Sequence, residues 1–215
     1  MNKFLALAVT GFIALSASSA MAVTQTQTGS FGQSTTDLNG ATFTVPGFNT
    51  SLGTLNSATI SVAGSAIANG SITNTGASTA NFTVTSTVAL TISGPGTTPV
   101  LNVTFAPSTA INNLASGATA NFGPITGSNT SGTVAGAPLS AFFGGPVSFA
   151  ASTSTGNSST GGGGNNTIKL STTVGGTVTV VYDYTAATTT VPEPASMALL
   201  GMGLAGLGLI RRRRA

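Results

Sequence analysis

Alternation of apolar and hydroxylated residues between Asn81 and Ile92 narrows the fold more than any other feature of the sequence. Phe82, Val84, Val88, Leu90 and Ile92 fall on one parity, and Thr83, Thr85, Thr87 and Thr91 fall on the other. Successive side chains of a strand point to opposite faces, so the run predicts a half-buried strand with a threonine-coated outer side. Leu101, Val103 and Phe105 repeat the pattern, as do Val178, Val180, Tyr182 and Tyr184. Shorter strand candidates cover residues 41–45, 58–63, 65–73, 147–150 and 167–174. Turn-forming pairs separate these runs: Asn39-Gly40, Pro46-Gly47, Asn69-Gly70, Asn74-Thr75-Gly76, Gly94-Pro95-Gly96 and Gly175-Gly176. Asn69-Gly70 reads as a two-residue hairpin turn between 65–68 and 71–73. Residues 151–166, with Ser158-Ser159-Thr160 and the run Gly161 to Gly164, have the composition of a flexible loop. No helical periodicity interrupts this stretch. The expected fold is all-β, an antiparallel β-sandwich or jelly-roll-like domain. Fibre-like polymerisation is the competing reading, because long strands with few charges are poorly protected at their edges.

The two ends of the chain are of a different kind. Lys3, an apolar run from Phe4 to Ala17 and the small-x-small triplet Ala20-Met21-Ala22 form a secretory signal peptide over residues 1–22. Cleavage after Ala22 starts the mature chain at Val23, with the Sec machinery and signal peptidase as partners. At the C-terminus, Val191-Pro192-Glu193-Pro194 precedes an uncharged run from Ala195 to Ile210, and Arg211, Arg212, Arg213 and Arg214 follow it. As a helix, residues 195–210 span about 24 Å at ~1.5 Å each, a little short of the roughly 30 Å hydrocarbon core. Snorkelling arginines cover the difference. Pro192 and Pro194 hold the preceding stretch extended, the form a processing enzyme needs. Four arginines belong in the cytoplasm by the positive-inside rule, so residues 23–190 lie outside.

Charge is partitioned accordingly. The chain has a net charge of +3, but Lys3 and Arg211 to Arg214 account for all its basic residues except Lys169. Residues 23–190 hold Lys169 against Asp37 and Asp183. That leaves no basic patch, and nucleic acid is excluded as a partner. The positive mean hydropathy, +0.38, is likewise inflated by the apolar ends. Cysteine is absent, so no disulfide supports the exported domain.

Val191-Pro192-Glu193-Pro194, the Gly- and Leu-rich apolar run and the arginine cluster resemble the PEP-CTERM sorting signal of Gram-negative, exopolysaccharide-producing bacteria. The resemblance implies export across the inner membrane, transient anchorage there and recognition of Pro192, Glu193 and Pro194 by an exosortase. Delivery to the cell surface or extracellular matrix follows, with exopolysaccharide as an implied partner. A second resemblance rests on Phe48 to Ile60, on Ile72-Thr73-Asn74-Thr75-Gly76 and on the strand Val178 to Tyr184. These are similar to choice-of-anchor E domains, surface modules of unassigned biochemical role.

The inventory for catalysis is sparse. No histidine or cysteine exists to activate a nucleophile, and the ectodomain acids are Asp37 and Asp183 alone. Zinc lacks its usual ligands and calcium its cluster of acids. Gly161 to Gly164 is followed by no Lys-Ser/Thr pair, so it is not a phosphate loop. The expectation is a non-enzymatic surface or matrix protein needing no cofactor and no metal. The alternative is a carbohydrate-binding or adhesive module, with Phe142 and Phe143 beside Gly144-Gly145 as the candidate sugar-stacking rings.

Overall fold

Ten antiparallel strands divided between two sheets carry residues 22–186. The structure is a computed structural model that describes residues 22–95, 101–135, 138–187 and 201–204. In chain order the strands are β1 (Ala22–Thr35), β2 (Ala41–Val45), β3 (Gly53–Asn74), β4 (Ala80–Ser93), β5 (Leu101–Phe105), β6 (Ser108–Leu114), β7 (Thr119–Thr130), β8 (Val134–Ala135), β9 (Val147–Gly161) and β10 (Asn166–Ala186). One sheet has the order β1-β10-β3-β7, with β8 also on β3. The other has the order β2-β9-β4-β5, with β6 also on β4. Every ladder is antiparallel, and the chain alternates between sheets in the winding order of a jelly roll.

Parity decides which side chains enter the sandwich. Phe82, Val84, Val88, Leu90 and Ile92 of β4 are all buried, while Thr83 and Thr87 face solvent. Val174, Val178, Val180 and Tyr182 of β10 are fully buried opposite them. The apolar interior falls into two clusters. The larger includes Phe48, Ile60, Leu90, Phe105, Phe142, Phe149 and Tyr182. The smaller is built on Ile72, Phe82, Val84 and Leu114. Between them the inward positions are polar: Ser86 and Thr172 are buried, and their hydroxyls lie 3.2 Å apart. This hydroxyl waist gives each buried group a partner where a full apolar layer is missing.

Three expectations from sequence are corrected. Asn69-Gly70 is no hairpin turn: both residues lie in the middle of the continuous β3, Gly70 pairing with Leu170 on one side and Phe122 on the other. A Cβ on Gly70 would run into the Lys169 carbonyl and the Phe122 ring, so the glycine serves close strand packing. Gly175-Gly176 is likewise interior to β10. The loop expected over 151–166 is instead mostly strand. Residues 151–161 belong to β9, which pairs with β4 from Phe82↔Gly161 to Ser93↔Ala150. Backbone hydrogen bonding to a long neighbour forms this strand despite its polar composition. Only the reversal after it is irregular. There Gly161, Gly162, Gly163 and Gly164 all adopt positive φ, between 57° and 103°, which side chains rarely tolerate.

Both ends of the strand region emerge together. Ala22 pairs with Thr185, and Ala186 pairs with Gly53. Asn74 and Asn166, paired to each other, mark the opposite end. Outside the strand unit, residues 201–204 form a helical turn with Met202 and Leu204 exposed. Among the described residues no helix is long and apolar enough to cross a membrane.

Candidate functional site

The end of the sandwich that carries Ala22 and Ala186 also carries a broad cleft. The chain leaving β2 turns at Pro46-Gly47 and forms a parallel bridge from Phe48 to Phe143. Phe48 N–H donates to the Phe142 carbonyl at 2.7 Å, and Gly144 N–H donates to the Phe48 carbonyl at 3.2 Å. The resulting cleft, about 630 Å³, is lined by Thr44, Pro46, Phe48, Asn49 and the run Gly144-Gly145-Pro146. Asn49 is occupied locally, its Oδ1 accepting from the Ser51 N–H at 3.0 Å. Below lies an aromatic floor. The Phe48 ring is 5.8 Å from Tyr182 and 5.2 Å from Tyr184, and Phe142 is 6.1 Å from Tyr182. Tyr182 donates its hydroxyl to the Pro46 carbonyl at 3.0 Å. Burial pushes its pKa from 10.0 to about 12, because the phenolate loses its hydration. Among the described residues no charged side chain lines the cleft, so its chemistry is shape, apolar contact and neutral hydrogen bonding.

The candidate stacking pair is split. Phe142 is fully buried, whereas Phe143 is 46% exposed. Phe142 belongs to a short 3-10 turn, residues Leu139–Phe142, that turns its ring into the core. One exposed ring remains of the two expected.

The two ectodomain carboxylates do not meet. Thr36 N–H, beside Asp37, donates to the Thr172 carbonyl of β10, whereas Asp183 sits eleven residues farther along the same strand, roughly 36 Å at ~3.3 Å each. Flanking a glycosidic bond requires carboxylates within about 10 Å. Asp37 takes a positive φ of 78°, and its N–H donates to Thr153 Oγ1 at 2.8 Å, a turn role. Lys169 and Ser171 share the outward parity of β10 with Ser71 and Asn121 around a shallow groove of about 270 Å³. Among the described residues no group of three or more acids, histidines or cysteines could hold a metal.

Of the sequence-derived processing residues, Ala22 and Val23 open β1 and are exposed. Ala20, Pro192, Glu193, Pro194 and Arg211 to Arg214 lie outside the described residues, as do the apolar positions of 195–210 other than 201–204. The cleft itself escaped the sequence reading. Its walls come from positions about a hundred residues apart, and only the Pro46-Gly47 and Gly144-Gly145 turns hinted at them.

Comparison with known families decides what the C-terminal segment is. A family model for the PEP-CTERM protein-sorting motif matches residues 190–214, spanning Pro192, Glu193, Pro194 and all four arginines. The chain carries a PEP-CTERM sorting signal. That signal marks an exported protein sorted by an exosortase, anchored in the membrane and then delivered to the surface of a Gram-negative cell. The match covers the C-terminal segment alone, and the ectodomain's resemblance to choice-of-anchor E domains finds no support in it. No curated protein matches the chain. Among solved structures, one of infectious bursal disease virus (Gx strain) is similar at 16% identity and a TM-score of 0.21, over 78% of this chain and 37% of that one. A second, of the T13 IBDV viral particle, has 14% identity and a TM-score of 0.16, over 86% and 46%. The PEP-CTERM chain thus spans less than half the length of either, and neither likeness is close enough to bear on function.

Proposed function

We propose that this PEP-CTERM protein is a non-enzymatic surface or extracellular-matrix component, associated with exopolysaccharide and biofilm. Its signal peptide, residues 1–22, is removed by signal peptidase after Ala22. Its helix, residues 195–210, holds it in the inner membrane with Arg211 to Arg214 inside until an exosortase acts at Pro192-Glu193-Pro194. The sorting-motif match over 190–214 carries this reading. The ectodomain is consistent with it: its two acids are far apart, its cleft is uncharged, and its outer faces are hydroxylated.

Mass spectrometry of the native protein tests the processing. The expected species starts at Val23 and lacks the arginines. An intact Arg211 to Arg214 tail in every molecule would refute the exosortase step. For the non-enzymatic reading, turnover of ester or glycoside substrates that is lost in Asp37→Ala or Asp183→Ala is the overturning result. The carbohydrate-binding alternative retains one observation, the exposed Phe143 ring beside the cleft. A glycan array probed with the mature protein and with Phe143→Ala distinguishes it.

A further inference from the structure

Isolated exposed apolar side chains are ordinary on a protein surface, but a one-sided distribution is not. Among the described residues of the sandwich the exposed large hydrophobics are Val23, Leu52 and Phe143. All three sit at the end where β10 finishes. Val23 pairs with Tyr184, whose ring lies 5.2 Å from Phe48, and Phe48 bridges Phe143. Leu52 precedes Gly53, the partner of Ala186. The opposite end is built from Thr75 to Thr79, Ser116-Gly117 and Gly162 to Asn165, polar or small throughout. Neither the described chain around Leu52 nor that around Phe143 carries a charge.

Chain length fixes which end faces the bilayer. Nine residue steps separate Ala186 from Ala195, a reach of roughly 30 Å at most. β3 alone has 22 residues, roughly 70 Å at ~3.3 Å each. Once residues 195–210 span the membrane, only the end bearing Ala186 can reach its surface.

We infer that this apolar rim, with Leu52 and Phe143 at its tips, rests on the lipid surface while the sorting signal anchors the chain. The inference relies on the membrane-helix reading of residues 195–210. Leu and Phe side chains partition into the headgroup boundary, and the charges at this end are the half-buried Asp183 of β10 and the Val23 α-amino group once the signal peptide is removed. The contact holds the chain leaving β10 at the bilayer surface, the level at which a membrane-embedded exosortase works. Release at the sorting motif then frees the rim.

The absence of native cysteine makes the test direct. Leu52→Cys, Phe143→Cys and, at the opposite end, Ala77→Cys are each labelled with an environment-sensitive fluorophore in the full chain. The labelled proteins are reconstituted into phosphatidylcholine vesicles carrying a headgroup nitroxide quencher. Incorporated protein is expected to lose most of its emission at positions 52 and 143 and keep it at 77. Incorporated protein with equal emission at all three positions overturns the rim contact and leaves the anchor standing. Failure of the full chain to float with vesicles overturns the anchor and the rim contact together.

Discussion

Single side chains hold the ends of this sandwich. Asn74 is fully buried, donating from Nδ2 to the Ser78 and Leu114 carbonyls at 2.8 Å each and accepting from the Gly76 N–H at 2.9 Å. It ties the β3–β4 turn to the end of β6. Asn74→Ala removes one buried and two half-buried hydrogen bonds, so we expect a loss of about 2 kcal/mol, read from the urea midpoint. At the other end Tyr182 imposes a pH dependence. Its folded pKa, about 12, lies above the unfolded 10.0, so between those values the unfolded state has released a proton that the folded state retains. Stability is therefore full below pH 10 and falls as pH rises toward 12. Thermal melts across that window should show the decline, and Tyr182→Phe should flatten it. At pH 8 the same substitution should cost about 1 kcal/mol for the lost hydrogen bond to Pro46.

At the scale of strands, legibility followed side-chain alternation. The β4, β5 and β10 patterns were readable because their inward positions are Phe, Val, Leu and Ile. β9 was opaque beyond Ala151 because the half-buried positions on its inward parity are Thr153, Thr155 and Ser159, paired with Leu90, Val88 and Val84 of β4, and Asn157 on the same parity is exposed. β1 was missed for a similar reason, since Gln25 and Gln27 stand inward opposite Tyr182 and Val180. Asn-Gly and Gly-Gly pairs misled where strands on both sides kept the chain extended. The cleft needed partners about a hundred residues apart, which no local pattern encodes. The polar interior of β9 carries its own prediction. Thr155 Oγ1 is buried without a hydrogen-bond partner among the described residues, so Thr155→Val replaces an unsatisfied hydroxyl with an isosteric methyl. We expect a gain of about 1 kcal/mol, seen as a higher denaturation midpoint.

For the molecule as a whole, the basic character of the sequence belongs to its addresses and not to its folded domain. The order of the strands has a further consequence. β10, the last strand, lies between β1 and β3, two of the earliest. Chains ending before Asn166 therefore leave β1 without a partner and one edge of β3 open, and we expect them to be digested rapidly by protease while chains ending at residue 187 resist. In the cell this sets a timetable. The sheet stays open until residue 186 has crossed the membrane, when the sorting signal a few residues behind is next to enter. Completion of the sheet and arrival of the sorting signal thus fall within a few residues of each other.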